Sequence, residues 1–396
     1  MLIENAQNIE TVVGKISFNY KSSPIFEKLV INFFNNISTR IKNDKSNFFY
    51  KDLITFGFWC RKSNLIQISN SYKNKDRMLG KGTVLHIPPS NVPMTFAYSF
   101  AFGLLSGNNN IVRLPSKNFD QVKILIEIIK SILKKKEFRN LQKKICFIRY
   151  KKSHDISEDL SSKVDARLIW GGDETVKNFK RYATQPHCID LAFPDRYSAS
   201  LINTSKLSNI NLEKFKSLVN KFYNDSYLMD QNGCSSPHVI FWEGTNNFVK
   251  DKFWKILEEI VQVKYEYNIS ITNQKIYSLS YNAIASKTDF KTELKNFKLV
   301  KLKIKNKLTD IDNLKCGYGT FTEINLNKLT DIEKYISRRF QTLTYFGYNK
   351  KILNKMVVVN GFLGIDRIVP IGRAFDIGPV WDGHDIIYTL SKVISN

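Results

Sequence analysis

Residues Gly82–Lys117 read GTVLHIPPSNVPMTFAYSFAFGLLSGNNNIVRLPSK. A β-branched run stops at a turn stiffened by Pro88, Pro89 and Pro93, a stretch of small and aromatic residues follows at helix length, and a second β-rich run ends at Leu114. Strand, helix, strand in this order is the unit of parallel sheets, because the crossover returns the chain to begin the next strand beside the first. The alternation continues through the amphipathic FDQVKILIEIIKSILKKK, then KICFIRY, ARLIW, DETVKNFKRYA and SASLIN, as far as Asn203. The prediction is an α/β chain with an open, mostly parallel sheet.

Upstream, residues 1–81 read mostly as helices, with apolar residues at helical spacing in SPIFEKLVINFFNNISTRIK, and are expected to pack around the sheet. Downstream, a helix from Leu212 leads into DQNGCSSPH. The run HVIFW, the helical NNFVKDKFWKILEEIVQVK, and the strands KLVKLKIK and YGTFTEINL then read as a second α/β unit. The expected division is 1–227, 228–375 and a C-terminal helix over 376–396 that packs back on the first domain. With 396 residues and 43% hydrophobic content, two cores are the natural expectation.

The opening MLIENAQNIETVV lacks a basic segment followed by an apolar core, and the longest apolar stretch, MTFAYSFAFGLL, is too short to span a bilayer. A cytoplasmic protein with no transmembrane segment is expected. Five cysteines, Cys60, Cys146, Cys188, Cys234 and Cys316, are an odd number without close pairs, which fits free thiols in a reducing compartment. The histidines show no ligand spacing with cysteines or carboxylates, so no metal is expected. A net charge of +24 invites polyanion binding, yet the lysines are spread from end to end among asparagines. That pattern reads as solvated faces, and no nucleic-acid partner is expected. Attraction of anionic substrates survives under either reading.

Three loops and one cysteine carry residues suited to chemistry. In PPSNVP the rigid turn fixes the carboxamide of Asn91, which either caps the next helix or donates to an oxyanion. VRLPSK leaves Arg113, Ser116 and Lys117 at the carboxyl end of a strand, where ligands bind in open α/β sheets; a solvated basic turn is the alternative. LIWGGDETV sets Gly171 and Gly172 between a strand and a helix start, so that backbone can approach a ligand closely, with Asp173 or Glu174 available merely as caps. No Gly-x-Gly-x-x-Gly follows a strand and no phosphate-loop pattern occurs, which counts against an ordinary dinucleotide or P-loop site. Cys234 has polar or tiny neighbours, whereas Cys146 lies in the apolar KKICFIRY; Cys234 is a sulfur placed to be reached. His238, four residues on, is either its activator or a strand residue, and nearness in sequence alone favours the strand.

In order, PPSNVP, VRLPSK, WGGDETV and DQNGCSSPH resemble the aldehyde dehydrogenase superfamily. With the C-terminal runs RRFQTLTYFG and DRIVPIGRAFDIGPVWDGHDIIYTL they look most like the Lux-type fatty acyl-CoA reductases of bacterial luminescence, over a span from Gly82 to the end. The resemblance implies that Cys234 carries the acyl group and that Asn91, with the nucleophile's backbone N–H, forms the oxyanion hole. It implies that 1–227 is an NADP(H)-binding domain, with Pro89, Arg113, Ser116, Lys117, Gly171 and Gly172 on the cofactor, and that 228–375 is the catalytic domain. The two cations of VRLPSK favour NADPH, whose 2′-phosphate they can pair. Hydrolytic members of the superfamily carry a general-base glutamate, but the corresponding region here, CIDLAFPDRYSAS, offers only Asp190, which favours discharge of the acyl group by hydride over discharge by water. The implied function is NADPH-dependent reduction of a fatty acyl-CoA or acyl-protein thioester to the aldehyde, with an acyl-activating synthetase as donor partner and homo-oligomerisation left open. A small-substrate aldehyde or semialdehyde dehydrogenase, and a basic nucleic-acid- or membrane-binding protein on a non-catalytic scaffold, are the alternatives.

Overall fold

The structure, a computed structural model, describes residues 8–395 apart from 19, 91, 286–289 and 305–310. The chain forms two compact units, Met1–Pro194 with Ile377–Asn396, and Asp195–Asp376.

The first unit begins with β1 (Glu10–Val13), α1 (Lys28–Asn43), α2 (Lys51–Trp59), α3 (Lys62–Asn70) and β2 (Met78–Gly80), so the helical reading of this region holds with two short strands added. The predicted alternation follows as β3 (Thr83–Ile87), α4 (Thr95–Leu105), β4 (Asn109–Arg113), α5 (Asp120–Leu133), α6 (Arg139–Gln142) and β5 (Ile145–Arg149). It closes with α7 (His154–Ser161), β6 (Ala166–Trp170), α8 (Asp173–Arg181) and β7 (Ile189–Phe193). Six strands form one sheet in the order β1-β5-β4-β3-β6-β7, all parallel except β1, which is antiparallel to β5.

Every residue of β3 is buried, as in a strand covered on both faces. Helix α4 is buried from Phe96 to Leu105, which explains why its sequence has no polar face. Its Phe96 and Phe100 meet Phe147 of β5 edge-on at 6.0 and 5.0 Å. On the other face of the sheet Leu85, Ile111 and Ile148 pack with Ile156 and Leu160 of α7 and Val176 of α8. The strand order reverses at β3: the chain leaves it for β4 and β5 and returns to β6 on the other side. Such a reversal opens a crevice at the carboxyl ends of the two central strands.

The second unit runs β8 (Tyr197–Asn203), α9 (Thr204–Ser208), α10 (Leu212–Tyr227), β9 (Pro237–Glu243), α11 (Asn247–Lys264), α12 (Ile269–Ala285), β10 (Phe290–Asn296) and β11 (Leu299–Ile304). It continues with β12 (Thr320–Leu326), β13 (Phe340–Phe346), α13 (Lys350–Val359) and β14 (Arg367–Pro370). Its sheet has the order β10-β11-β12-β9-β8-β13-β14, parallel but for β10 against β11. Alternate residues of β9 feed two cores: Ile240 and Trp242 pack with Phe222 and Phe253, Val239 and Phe241 with Leu353 and Met356.

Two expectations are corrected. The boundary falls after Pro194, not after 227, because β8 is hydrogen-bonded between β9 and β13 and so belongs to the second sheet. Strand and helix alternate through this point without a change of composition, which hid it. The C-terminal stretch is not a helix: it forms a hairpin of β15 (Val380–Trp381) and β16 (His384–Asp385), a single turn α14 (Ile386–Thr389), and β17 (Ser391–Val393). β17 pairs antiparallel with β2, and Tyr72 donates its hydroxyl to Asp385 at 2.8 Å, so the tail is tied into the first unit. Among the described residues no helix is long and apolar enough to cross a membrane.

Candidate active site

The cysteine loop is set by how α10 ends. After Tyr227 the chain passes through Asp230 and Gln231 with left-handed backbone, φ 52° and 60°. For non-glycine residues that conformation costs about 1–2 kcal/mol each. The Gln231 side chain supplies the compensation. It is fully buried, donates Nε2 to the carbonyls of Pro237 and Thr320 at 2.8 and 3.0 Å, and accepts at Oε1 from the amides of Gly319 and Thr320 at 2.9 and 3.0 Å. At roughly 0.5–1.5 kcal/mol apiece, four bonds offset the backbone cost and fasten the loop to the start of β12. Gly233 is required by close approach: a Cβ there would lie 2.8 Å from the Phe375 ring.

Cys234 is half-buried just ahead of β9. Its carbonyl accepts the Ser198 hydroxyl at 2.7 Å, and that hydroxyl oxygen accepts the Thr342 amide at 3.0 Å, tying the loop to the first turns of β8 and β13. Gln341 Nε2 donates to Cys234 Sγ at 3.2 Å, and its Oε1 accepts from Thr342 Oγ1 at 3.2 Å, which fixes the orientation of the carboxamide. A donor aimed at sulfur favours the thiolate.

Arg367, at the start of β14, is held by the carbonyls of Ala374, Arg373 and Asp376 at 2.6, 2.9 and 2.5 Å. Burial pushes its pKa down, against the opposing pull of Asp376, then Asp225 and least of all Cys234. Asp225 is buried beneath this segment, accepting the Gly372 and Ala374 amides at 2.5 and 3.0 Å; burial nevertheless raises its pKa to about 7.

His238 is a buried residue of β9, and neither ring nitrogen meets a hydrogen-bond partner among the described residues. Burial, and then the nearby Lys315 cation, hold its pKa far below the usual range. The Gln231 backbone favours the protonated ring, but it is the smallest of the three effects and does not reach hydrogen-bond geometry. A neutral imidazole cannot lend Cys234 a positive charge. Asp190 is equally committed elsewhere: on β7 of the first unit, it takes Nε and Nη2 of Arg167 at 2.7 and 2.6 Å.

In the first unit the sheet gathers the other predicted residues at one edge. Pro89 follows β3, Arg113 ends β4 and Gly171 follows β6, and these three strands are neighbours. Arg113 is half-buried with its guanidinium over the Tyr150 ring, 4.4 Å from the centroid, and among the described residues no carboxylate pairs with it. Ser116 and Lys117 are exposed. A Cβ on Gly172 would meet nothing within 4 Å, whereas one on Gly171 would come 3.1 Å from the Thr175 side chain. Gly172 caps α8, but Asp173 and Glu174 in the first turn oppose binding of a phosphate there. Asn91 lies outside the described residues.

Gln231, Ser198, Gln341 and Arg367 were not singled out from the sequence. Gln341 and Arg367 stand inside the runs RRFQTLTYFG and DRIVPIGRAFD, and Gln231 belongs to DQNGC, three residues before Cys234. Motif resemblance marked these stretches without saying which side chain mattered.

Residues 64–394 match the family described as acyl-CoA reductase (LuxC). The long-chain acyl-protein thioester reductase of Vibrio harveyi is 23% identical over 331 residues, covering 80% of this chain and 64% of that protein. That of Aliivibrio fischeri is 23% identical over 168 residues, 42% of this chain and 33% of the relative. Among solved structures, lactaldehyde dehydrogenase from Escherichia coli superposes with a TM-score of 0.63 at 12% identity, covering 92% of this chain and 85% of that one. An indole-3-acetaldehyde dehydrogenase complexed with NAD+ gives 0.64 at 10% identity, covering 93% and 83%. These likenesses establish an aldehyde dehydrogenase fold. Since the family match runs through both units and most of the sequence, the chain belongs to the acyl-CoA reductase (LuxC) family.

Proposed function

We propose that this protein reduces a long-chain acyl thioester to the aldehyde through an acyl-enzyme on Cys234, using NADPH. The observation that carries the reading is the environment of that sulfur. Cys234 has the Gln341 donor on its Sγ, and the Arg367 cation, though shaped first by burial, Asp376 and Asp225, also feels its charge. Burial instead raises the thiols of Cys146 to about 12 and of Cys188 and Cys316 to about 11, and pushes Cys60 well above its ordinary value.

The Cys234 thiolate attacks the thioester carbonyl, and the new C–S bond places a negative charge on the carbonyl oxygen. Asn91, by its motif, and the Cys234 backbone N–H donate to that oxyanion. Its collapse breaks the bond to the donor's sulfur, which leaves as a thiolate and takes up a proton. A nicotinamide cofactor, when bound, supplies the hydride that reduces the acyl carbon. Cys234 then departs as thiolate from the resulting thiohemiacetal and the aldehyde is released. Pro89, Gly171 and Gly172 would line the cofactor's edge of the first sheet, while Arg113, Ser116 and Lys117 would take the 2′-phosphate. The Arg113 guanidinium, stacked on Tyr150 and without a carboxylate partner among the described residues, supports that fit, since its N–H edges are suited to a forked contact. The engagement of Asp190 with Arg167 supports discharge by hydride rather than by activated water. The relatives' names point to an acyl-protein as one donor, and an acyl-activating synthetase is the partner that would present it.

Incubation with acyl-CoAs of graded length and NADPH, following cofactor oxidation and aldehyde together, tests the reading. Equal amounts of NADP+ and aldehyde are expected, with a preference for long chains. Oxidation of small aldehydes to acids without thioester reduction would replace this reading with that of a dehydrogenase.

A further inference from the structure

A cavity of about 580 Å³ lies in the second unit behind the cysteine loop, within the size range of small-ligand sites. Its rim is formed by Asn232 and, from α12, Asn273 and Gln274, all exposed. His238 is among its lining residues and only 3% exposed, and among the described residues neither ring nitrogen meets a hydrogen-bond partner, the Gln231 backbone acting on the ring without reaching hydrogen-bond geometry. A buried imidazole without partners forfeits the hydrogen bonds it made in water, a cost of about 1–3 kcal/mol that a ligand can remove. Neutral imidazole presents one donor and one acceptor. The group that satisfies both is one that itself carries an acceptor and a donor.

The charge of the cavity narrows the class further. Lys315 lines it, but its Nζ already meets Asp195 Oδ1 at 3.0 Å and the Arg196 carbonyl at 3.3 Å, so the cation is matched by a carboxylate. Tyr318 donates its hydroxyl to Gln274 Oε1. The lining is therefore neutral and rich in amides and hydroxyls. A phosphate would find its counter-charge taken, and a fatty chain would leave His238 and the carboxamides without partners. An uncharged amide satisfies both. The position agrees: Asn232 on the rim is two residues from Cys234, in the same turn.

We propose that this cavity receives the amide-bearing arm that carries the donor's thiol, a pantetheine-type chain, with His238 hydrogen-bonded to one of its amides. The inference rests on the acyl-enzyme reading and adds to it the part of the donor that is recognised. Coenzyme A and an acyl carrier protein present the same arm, and the choice between them lies outside this cavity.

Single-turnover acylation of the full-length protein without cofactor, read by intact mass, tests it. The donors share one long acyl chain, carried on ethanethiol, N-acetylcysteamine, pantetheine, coenzyme A or a phosphopantetheinylated carrier protein. The amide-bearing donors should acylate faster than the ethyl thioester. His238→Leu should slow the amide-bearing donors by about three- to tenfold and leave the ethyl thioester unchanged, as expected for one lost hydrogen bond. A gain that appears only with the carrier protein would mean recognition of protein surface and would overturn the arm site. Equal rates for ethyl and pantetheine thioesters in the unaltered protein would also overturn it, with the acyl-enzyme reading intact, and that comparison needs no variant. Failure of every donor to acylate the protein would remove both readings.

Discussion

The two sheets place their chemistry at opposite ends of their strands. In the first, Pro89, Arg113 and Gly171 lie at the carboxyl ends of β3, β4 and β6, around the point where strand order reverses. In the second, Ser198, Cys234, Gln341 and Arg367 lie at the amino ends of β8, β9, β13 and β14. A carboxyl-end site is made by loops that leave their strands, each a short run free to vary in shape. The amino-end site is made by the first one or two residues of β8, β13 and β14 and by the turn just ahead of β9, with Ser198 and Gln341 at irregularities of the ladder. The difference would suit the proposed roles: a cofactor comes and goes, whereas a nucleophile needs the donor on its sulfur held still.

If the division is sound, each edge can be damaged without touching the other. The largest effect is expected from Arg367→Met. Removal of this cation should shift the Cys234 thiol toward its protonated form, so acylation at pH 7 should fall by about a hundredfold and recover as pH is raised. The Michaelis constant for NADPH should not move. A rate that stays low at every pH would show that Arg367 acts through packing alone. Next comes Arg113→Ala, which should raise the NADPH Michaelis constant by about tenfold or more, leave NADH nearly unaffected and leave single-turnover acylation as it was. An unchanged NADPH-to-NADH ratio would move the 2′-phosphate away from this loop. The smallest effect is expected from Gln341→Leu, where one hydrogen bond to sulfur is lost: acylation should slow by about fivefold, with cofactor kinetics intact. If acylation were unaltered, the donor seen on Sγ would have no part in activating it.

The same contrast explains what could be read from the sequence. The loops of the proposed cofactor edge could be placed because each piece is contiguous: PPSNVP, VRLPSK and WGGDETV follow their strands directly, and Pro and Gly mark the turns. The proposed nucleophile stood out too, since polar, tiny neighbours set Cys234 apart from Cys146. Its surroundings did not. Ser198 lies 36 residues before Cys234 and Gln341 lies 107 after it, and only the pairing of β8, β9 and β13 brings them together. Gln231 was hidden differently. A glutamine in a loop reads as solvated, and its burial follows from four backbone partners, two of them 89 residues away in Thr320. The misplaced boundary has the same origin, because SASLIN is as good a strand for one sheet as for the other until its hydrogen-bonded neighbours are known.

Acylation of Cys234 is tested by mapping the adduct. The protein is incubated with a long-chain acyl thioester in the absence of cofactor, quenched at low pH, digested and analysed by mass spectrometry. A single acyl group on the peptide containing Cys234, absent from Cys234→Ala while nicotinamide binding persists, is the predicted result. An adduct on Cys60, Cys146, Cys188 or Cys316, or undiminished labelling of Cys234→Ala, would contradict it.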